Sequence, residues 1–184
     1  MHEKSKLTPD GETRRKLLQC GSLITLLHGS SLLSSTFAKT PERYSGDLEI
    51  LNVALGLEHK AIAACRAGAE GKLLTGQTLD SIRSFEIDHK RHRDSIIKII
   101  KRFGGVAHEP ERQYDFGSIN SAQDLLQLAH DLEQEAVDTY LANASRLQSS
   151  VIVNSAVAIL VDEVRHATSL KLALGLPITV RPKY

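Results

Sequence analysis

The feature that most constrains the fold is an internal repeat that carries the same polar positions twice. Residues 57–65, LEHKAIAAC, align without gaps with residues 132–140, LEQEAVDTY. Each copy is followed by a Glu-x-x-His motif, EIDH at residues 86–89 and EVRH at residues 163–166. We therefore expect two similar halves that place these polar residues at equivalent positions.

The segments around the motifs are typical of amphipathic helices, because apolar residues recur every three or four positions in each of them. The four expected helical segments are residues 47–70, 78–105, 121–147 and 149–175. Their expected N-caps include Asp47, Thr78 and Ser121, and glycines close the first, second and fourth segments. No clear β-pattern is present, and residues 176–184 contain proline and are expected to form a tail. The chain is therefore predicted to be all-α.

The repeated polar residues are expected at one height in the folded chain. Glu58 precedes Glu86 by 28 residues, which places the two at equal distances from their turn. Glu133 precedes Glu163 by 30 residues, with the same result in the second half. Residues at i and i+3 share a helix face. The residues predicted to lie at this one height and to face the core, called the level set below, are Glu58, Glu86, His89, Glu133, Glu163 and His166.

Four carboxylates in one core would repel each other and would cost several kcal/mol each to desolvate. They must therefore be protonated, with raised pKa values, or be balanced by positive charge. Two divalent cations would supply that charge, for which the sequence offers no other obvious source. Oxygen and imidazole ligands suit iron or manganese, with zinc left open, and a thiolate site is not expected because Cys65 is the only sulfur nearby. The alternative is a hydrogen-bonded polar core without metal.

The order Glu, Glu-x-x-His, Glu, Glu-x-x-His, with DEVRH at residues 162–166, resembles the ferritin-like di-metal carboxylate proteins. The resemblance covers residues 47–175. It implies a ferritin-like four-helix bundle of two helical hairpins joined by a long crossover, for which residues 104–120 are long enough.

The resemblance also implies roles for the level set. It makes Glu86 and Glu163 the bridges between two iron (or manganese) ions, and Glu58, Glu133, His89 and His166 the ligands of one ion each. Tyr140, which follows Glu133 by seven residues on the same face, is similar to the tyrosine often found near such sites and is the candidate catalytic residue. Cys65 stands at the matching position of the first half. His92 lacks a partner in this pattern and is expected at the surface or just outside the ligands.

The N-terminal segment TRRKLLQ, residues 13–19, precedes a moderately apolar stretch that ends in small residues. It resembles a twin-arginine export signal, with Arg14 and Arg15 as the pair and cleavage near Ala38. It departs from that pattern at Leu17, where Phe is typical. The alternatives are an uncleaved membrane anchor and an ordinary amphipathic helix.

The interpretation as an export signal divides the chain into a signal (1–38), a linker (39–46), the bundle (47–175) and the tail (176–184). It implies a periplasmic or otherwise exported protein. No stable membrane span is expected once the signal is removed, because no other segment is long and apolar enough.

Composition excludes one class of partner. The net charge is +1, and no basic stripe with interleaved aromatic residues is present, so nucleic acid is not an expected partner. The expected partners are metal ions and a small oxidant, either dioxygen or peroxide, and a homo-oligomer is left open. Two functions remain: a ferroxidase- or peroxidase-like oxidoreductase with a di-iron or di-manganese site, or a non-catalytic ferritin-like binding or stress protein whose site is structural or empty.

Overall fold

The computed structural model describes residues 43–178 of the chain. The expected export signal with Arg14 and Arg15, and the end of the expected tail, lie outside these residues. The described helices are α1 (Ser45–Glu70), α2 (Gly76–Arg102), α3 (Ala122–Asn143) and α4 (Ser150–Ala173), with a 3₁₀ turn at Ala144–Arg146. Residues 43–178 contain no strand. The all-α prediction is confirmed.

The four helices form a bundle in which α1 packs along α2 and α3 packs along α4, with further contacts between α1 and α3 and between α2 and α4. Its apolar core is divided into two clusters. The proximal cluster includes Leu51, Leu55, Ile96, Ile100, Tyr140 and Ile152. The distal cluster includes Cys65, Ile82, Phe85, Leu125, Leu126 and Leu170. Among the described helices, none is long and apolar enough to cross a membrane.

The membership of the clusters fixes the direction of each helix. The proximal cluster joins the start of α1 and α4 to the end of α2 and α3, and the distal cluster joins the opposite ends. Because α2 ends at the proximal cluster and α3 begins at the distal one, the connection between them runs the length of the bundle. The side chain of Asn52 holds the start of this connection, since it donates to the Val106 carbonyl (3.0 Å) and accepts from the His108 amide (2.9 Å). The predicted crossover is confirmed.

Asp47 has a different role from the one expected. Helix α1 begins at Ser45, and the Asp47 carboxylate is 1% exposed. It accepts hydrogen bonds from the backbone amides of Gln148 (3.0 Å) and Ser149 (2.9 Å), where α4 begins. Asp47 therefore caps α4 across the bundle and does not cap its own helix.

Of the other two expected N-caps, one differs from the prediction and one agrees with it. Helix α2 begins at Gly76 with Thr75 as its N-cap, one turn earlier than the expected cap at Thr78. Ser121 caps α3 as predicted, because its hydroxyl accepts from the Asp124 amide (3.1 Å) and the Asp124 carboxylate accepts from the Ser121 amide (2.9 Å). This reciprocal pair is a capping box, which satisfies two amides of the first turn.

Candidate metal centre

A layer of buried polar side chains lies between the two apolar clusters, and all four helices contribute to it. Its members are Glu58 from α1, His89 and His92 from α2, Glu133 from α3, and Glu163 and His166 from α4. Each is at most 6% exposed, and Glu163 and His166 are fully buried. Glutamate and histidine rarely occupy such positions unless they are paired or hold an ion.

The layer contains two overlapping groups, each able to offer four ligand atoms. The groups consist of Glu58, His89, His92 and Glu163, and of His89, Glu133, Glu163 and His166. Within each group, one ligand atom per residue lies within 4.8 Å of all the others. Only His89 and Glu163 belong to both groups, so the structure brings together two adjacent places that could each hold a metal ion.

The two groups follow the internal repeat. In DHKRH on α2 and DEVRH on α4, His92 matches His166, and His89 stands where α4 has Glu163. Glu58 Oε1 lies 3.5 Å from His92 Nδ1, and Glu133 Oε1 lies 3.6 Å from His166 Nδ1. The repeat is therefore symmetric at every position of the layer except one.

Glu86, predicted as a bridging ligand, belongs to neither group. The buried residues of α2 next to it are Phe85 and His89, and Glu86 lies beside this stripe. Its carboxylate is 2.7 Å from the ammonium of Lys90 and 3.6 Å from Nε of Arg66. The register of α2 thus turns Glu86 towards cations at the flank of the bundle, and His89 takes the shared position.

His92, which was not predicted as a ligand, lies in the first group. Its Nδ1 is 2.9 Å from Oε1 of Glu163. A different alignment of the repeat would have found it, because His89 follows Glu58 by 31 residues and Glu163 follows Glu133 by 30. The shared signal is an aspartate four residues before each histidine, not the Glu-x-x-His motif.

Two aspartates hold the outer histidines from behind. His92 Nε2 lies 3.2 Å from Asp162, and His166 Nε2 lies 3.3 Å from Asp88. Arg165 joins both aspartates, at 3.1 and 3.2 Å. With Nε2 donating outwards, each ring directs Nδ1 into the layer, which is how carboxylates orient metal-binding histidines.

Many polar atoms of the layer have no hydrogen-bond partner. Of seven such buried side-chain atoms in residues 43–178, five belong to the layer: His92 Nδ1, Glu133 Oε2, both oxygens of Glu163, and His166 Nδ1. These atoms lie close to opposite charges, as His92 Nδ1 lies 2.9 Å from Oε1 of Glu163, but they form no hydrogen bond. Ligand atoms that are close together and not engaged in hydrogen bonds fit residues that hold metal ions.

The charges of the layer are balanced in a way that the sequence did not predict. Burial alone would lower the pKa of His92, but its contacts with Glu163 and Glu58 outweigh burial and raise the pKa to about 10. Burial likewise opposes the charged form of His166, whose contacts with Glu133 and Glu163 raise the pKa to about 9.

The remaining shifts have the same origin. The pKa of His89 is also raised, because contacts with Cys65, Glu133 and Glu58 overcome the effect of burial. Burial would raise the pKa of Glu133, yet its contacts with Glu163 and the histidines lower it to about 2. Without an ion, the raised pKa values of the three histidines favour their charged forms, and the lowered pKa of Glu133 favours its carboxylate. The expectation of protonated carboxylates with raised pKa values is wrong for Glu133.

Tyr140 and Cys65 flank the layer from the proximal and distal clusters. The Tyr140 hydroxyl is buried without a hydrogen-bond partner, and burial, followed by the charges of Glu58 and Glu163, raises the pKa of the phenol well above its usual range. Burial also raises the pKa of the Cys65 thiol, which contacts His89. Both side chains therefore stay protonated next to the layer.

Residues 46–176 match the model of the ferritin-like domain. Comparison with curated proteins gives no significant match. Among solved structures, a conserved hypothetical protein from Mycobacterium tuberculosis superposes with a TM-score of 0.66 at 23% identity, over 75% of this chain and 97% of that chain. BfrA from Mycobacterium tuberculosis gives a TM-score of 0.64 at 17% identity, over 70% and 82%. A ferritin-like, diiron-carboxylate protein from Bacillus anthracis gives 0.62 at 19% identity, over 74% and 99%.

Proposed function

Because the chain belongs to the ferritin-like domain family, we propose that its buried polar layer binds two metal ions, one in each four-residue group. The observation that carries this proposal is the pair of overlapping ligand groups on four helices. The five ligand atoms that form no hydrogen bond support it, since a bound ion would coordinate them. The structural likeness to a diiron-carboxylate protein of Bacillus anthracis is in keeping with it.

Iron is the ion that these ligands fit best. The layer offers three carboxylates and three imidazoles, and iron accepts both ligand types readily. Manganese prefers the carboxylates and zinc the imidazoles, so both remain outcomes of the test. The four residues of each group would hold an iron or manganese ion, which would supply redox chemistry towards a small oxidant.

We further propose that the site reacts with dioxygen or peroxide, as a ferroxidase- or peroxidase-like oxidoreductase. The bound ions would supply the electrons for this reaction. The chain's own contribution is to exclude water from the layer and to hold the histidine rings through Asp88 and Asp162. Tyr140 is the candidate catalytic residue, because its buried hydroxyl keeps a proton that no hydrogen bond engages.

A non-catalytic binding or stress protein is the second candidate, and the charge balance of the layer favours it. The raised pKa values of the three histidines and the lowered pKa of Glu133 place opposite charges next to each other in the layer, which stabilises the core without metal. In this case the protein would bind metal weakly or would use it only to hold the fold.

Metal content and spectroscopy separate the two candidates. Protein loaded anaerobically with ferrous iron is expected to hold two ions per chain and to change its absorption spectrum when dioxygen or peroxide is added. Glu163→Gln should abolish both results, whereas Glu135→Gln should not, because Glu135 lies outside the layer and pairs with Lys60 at the surface. Two ions without any oxidant-dependent change would favour the second candidate, and no bound metal would contradict the first proposal.

We also propose that residues 1–38 direct export through the twin-arginine route to the periplasm. The supporting feature is the Arg14-Arg15 pair ahead of a moderately apolar segment. Replacing both arginines with lysine should leave the precursor in the cytoplasm, as seen by cell fractionation. Unchanged export of this variant would point to another route.

A further inference from the structure

We propose that His89 bridges the two metal ions, with one ring nitrogen bound to each. The proposal rests on the proposed function and adds that the ion pair is joined by one imidazole ring and by the carboxylate of Glu163. Each four-residue group then receives one nitrogen of the same ring, so each ion has its own nitrogen ligand.

The position of the ring carries the proposal. His89 Nδ1 lies 2.9 Å from Glu58, which belongs only to the first group, and Nε2 lies 3.0 Å from Glu133, which belongs only to the second. The ring is 2% exposed. Its ring packs beside the rings of His92 and His166, at centroid distances of 6.0 and 5.2 Å, and those two rings are 6.4 Å apart. The two nitrogens of His89 thus face opposite groups.

The other two histidines provide the contrast. His92 and His166 each use Nε2 to reach an aspartate outside the layer, so each has only Nδ1 for an ion. Asp88, the residue before His89, contacts His166 instead, and within residues 43–178 the His89 ring contacts carboxylates of the layer and the Cys65 thiol. Its two nitrogens reach one carboxylate in each group, which is the two-sided access that a bridge requires.

Charge neutrality favours the same arrangement. Three carboxylates leave one positive charge uncompensated against two divalent ions. When both nitrogens of His89 bind ions, the ring has released its N–H protons to solvent and carries one negative charge. The ligand set then carries −4 against +4, so the ring supplies the charge that a fourth carboxylate would have given.

The bridge also sets the separation of the ions. Carboxylate-bridged pairs lie about 3.5–4 Å apart. Ions bound at about 2.0 Å from nitrogens on opposite sides of an imidazole ring are held roughly 6 Å apart. Glu163 must then span the pair with one oxygen on each ion, as its Oε1 near His92 (2.9 Å) and Oε2 near His166 (3.6 Å) allow.

Three histidine variants test the proposal through metal content alone. Protein equilibrated with zinc by dialysis is expected to hold two ions in the wild type and one each in His92→Ala and His166→Ala. His89→Ala should lose both, with each binding step weakened by at least about 100-fold, since the loss of a ligand should exceed the 10–100-fold cost of losing an outer partner. Circular dichroism confirms folding of each variant.

X-ray absorption of the zinc-loaded protein provides the second measurement. The wild type should show no zinc neighbour near 3.5–4 Å, whereas His89→Glu, which restores a carboxylate, should bind two ions and show one. His89→Ala that keeps one tightly bound ion, or a wild type with a short zinc–zinc distance, overturns the bridge but leaves the proposed function standing. A wild type that binds fewer than two ions overturns both.

Discussion

Raising the pH should destabilise the metal-free protein, because its folded state binds protons that its unfolded state releases. His92 and His166 have folded pKa values of about 10 and about 9, whereas an unfolded histidine titrates near 6.5. Their stabilising effect is fully present below pH 6.5 and is lost as the pH rises through the folded pKa values. The affected window is therefore about pH 6.5 to 10.

The size of the effect follows from the number of protons. Each proton held only by the folded state lowers the free energy of unfolding by about 1.4 kcal/mol per pH unit. Two histidines give a slope of about −3 kcal/mol per pH unit between pH 7.5 and 8.5, and His89 would steepen it. A domain with a total stability of about 5–15 kcal/mol would lose a large share of it within two units.

Urea unfolding at half-unit steps from pH 6 to pH 9, with a chelator present, measures this slope. His166→Gln should reduce it by about 1.4 kcal/mol per pH unit. His108→Gln is the matched control, because this histidine lies in the exposed crossover and should leave the slope unchanged. A free energy of unfolding that is constant or rises over this range would refute the reasoning.

Bound metal should remove this dependence of the free energy of unfolding on pH. Ions replace the protons of the layer, so binding is favoured at high pH, where fewer protons compete for the same ring nitrogens. The metal-induced rise in melting temperature is therefore expected to be larger at pH 8 than at pH 5.5. Equal rises at both pH values would contradict the exchange of protons for metal.

Three further outcomes are expected. Glu163→Ala should remove most of the bound metal, measured by elemental analysis, whereas Glu86→Ala should behave like Glu135→Ala and retain it; equal losses in all three would contradict the ligand groups. Asp47→Ala should lower the free energy of unfolding by about 1–3 kcal/mol in urea titrations, because the buried amide of Ser149 and the partly buried amide of Gln148 lose their acceptor, and an unchanged value would exclude its role as the cap of α4. Tyr140→Phe should keep two ions per chain but slow the oxidant-dependent absorption change in stopped-flow experiments, and an equal rate would remove the tyrosine from the reaction.

The fold could be predicted from the sequence because its signals are local. Apolar spacing gives four helices, glycines mark the ends of three of them, and the length of residues 104–120 allows the crossover that the structure contains. The caps were harder to predict. Ser121 forms its capping box with a neighbour three residues away, whereas Asp47 acts on an amide 101 residues away, which no local pattern can reveal.

The polar layer was predicted in outline, but the direction in which α2 presents its side chains was not: Glu86 lies beside the buried stripe and His92 lies within it. Glu86, His89 and His92 follow one another along α2 at intervals of three residues. Each interval changes the direction of the side chain by about 60° around the helix axis. A modest rotation of α2 therefore decides whether Glu86 or His92 faces the core, and the packing of Phe85 and Ile82 in the distal cluster settles it. The balancing positive charge was missed because it depends on distances between side chains of different helices.

The division of the core into two apolar clusters has a consequence for local opening. Because the clusters share no residue and a polar layer separates them, one end of the bundle can open without exposing the apolar surface of the other. Amide hydrogens around Ile96 and around Leu126 would then exchange with solvent through separate opening events. Ions held by ligands from all four helices would join the two ends into one cooperative unit, and amides at both ends would exchange with a common free energy.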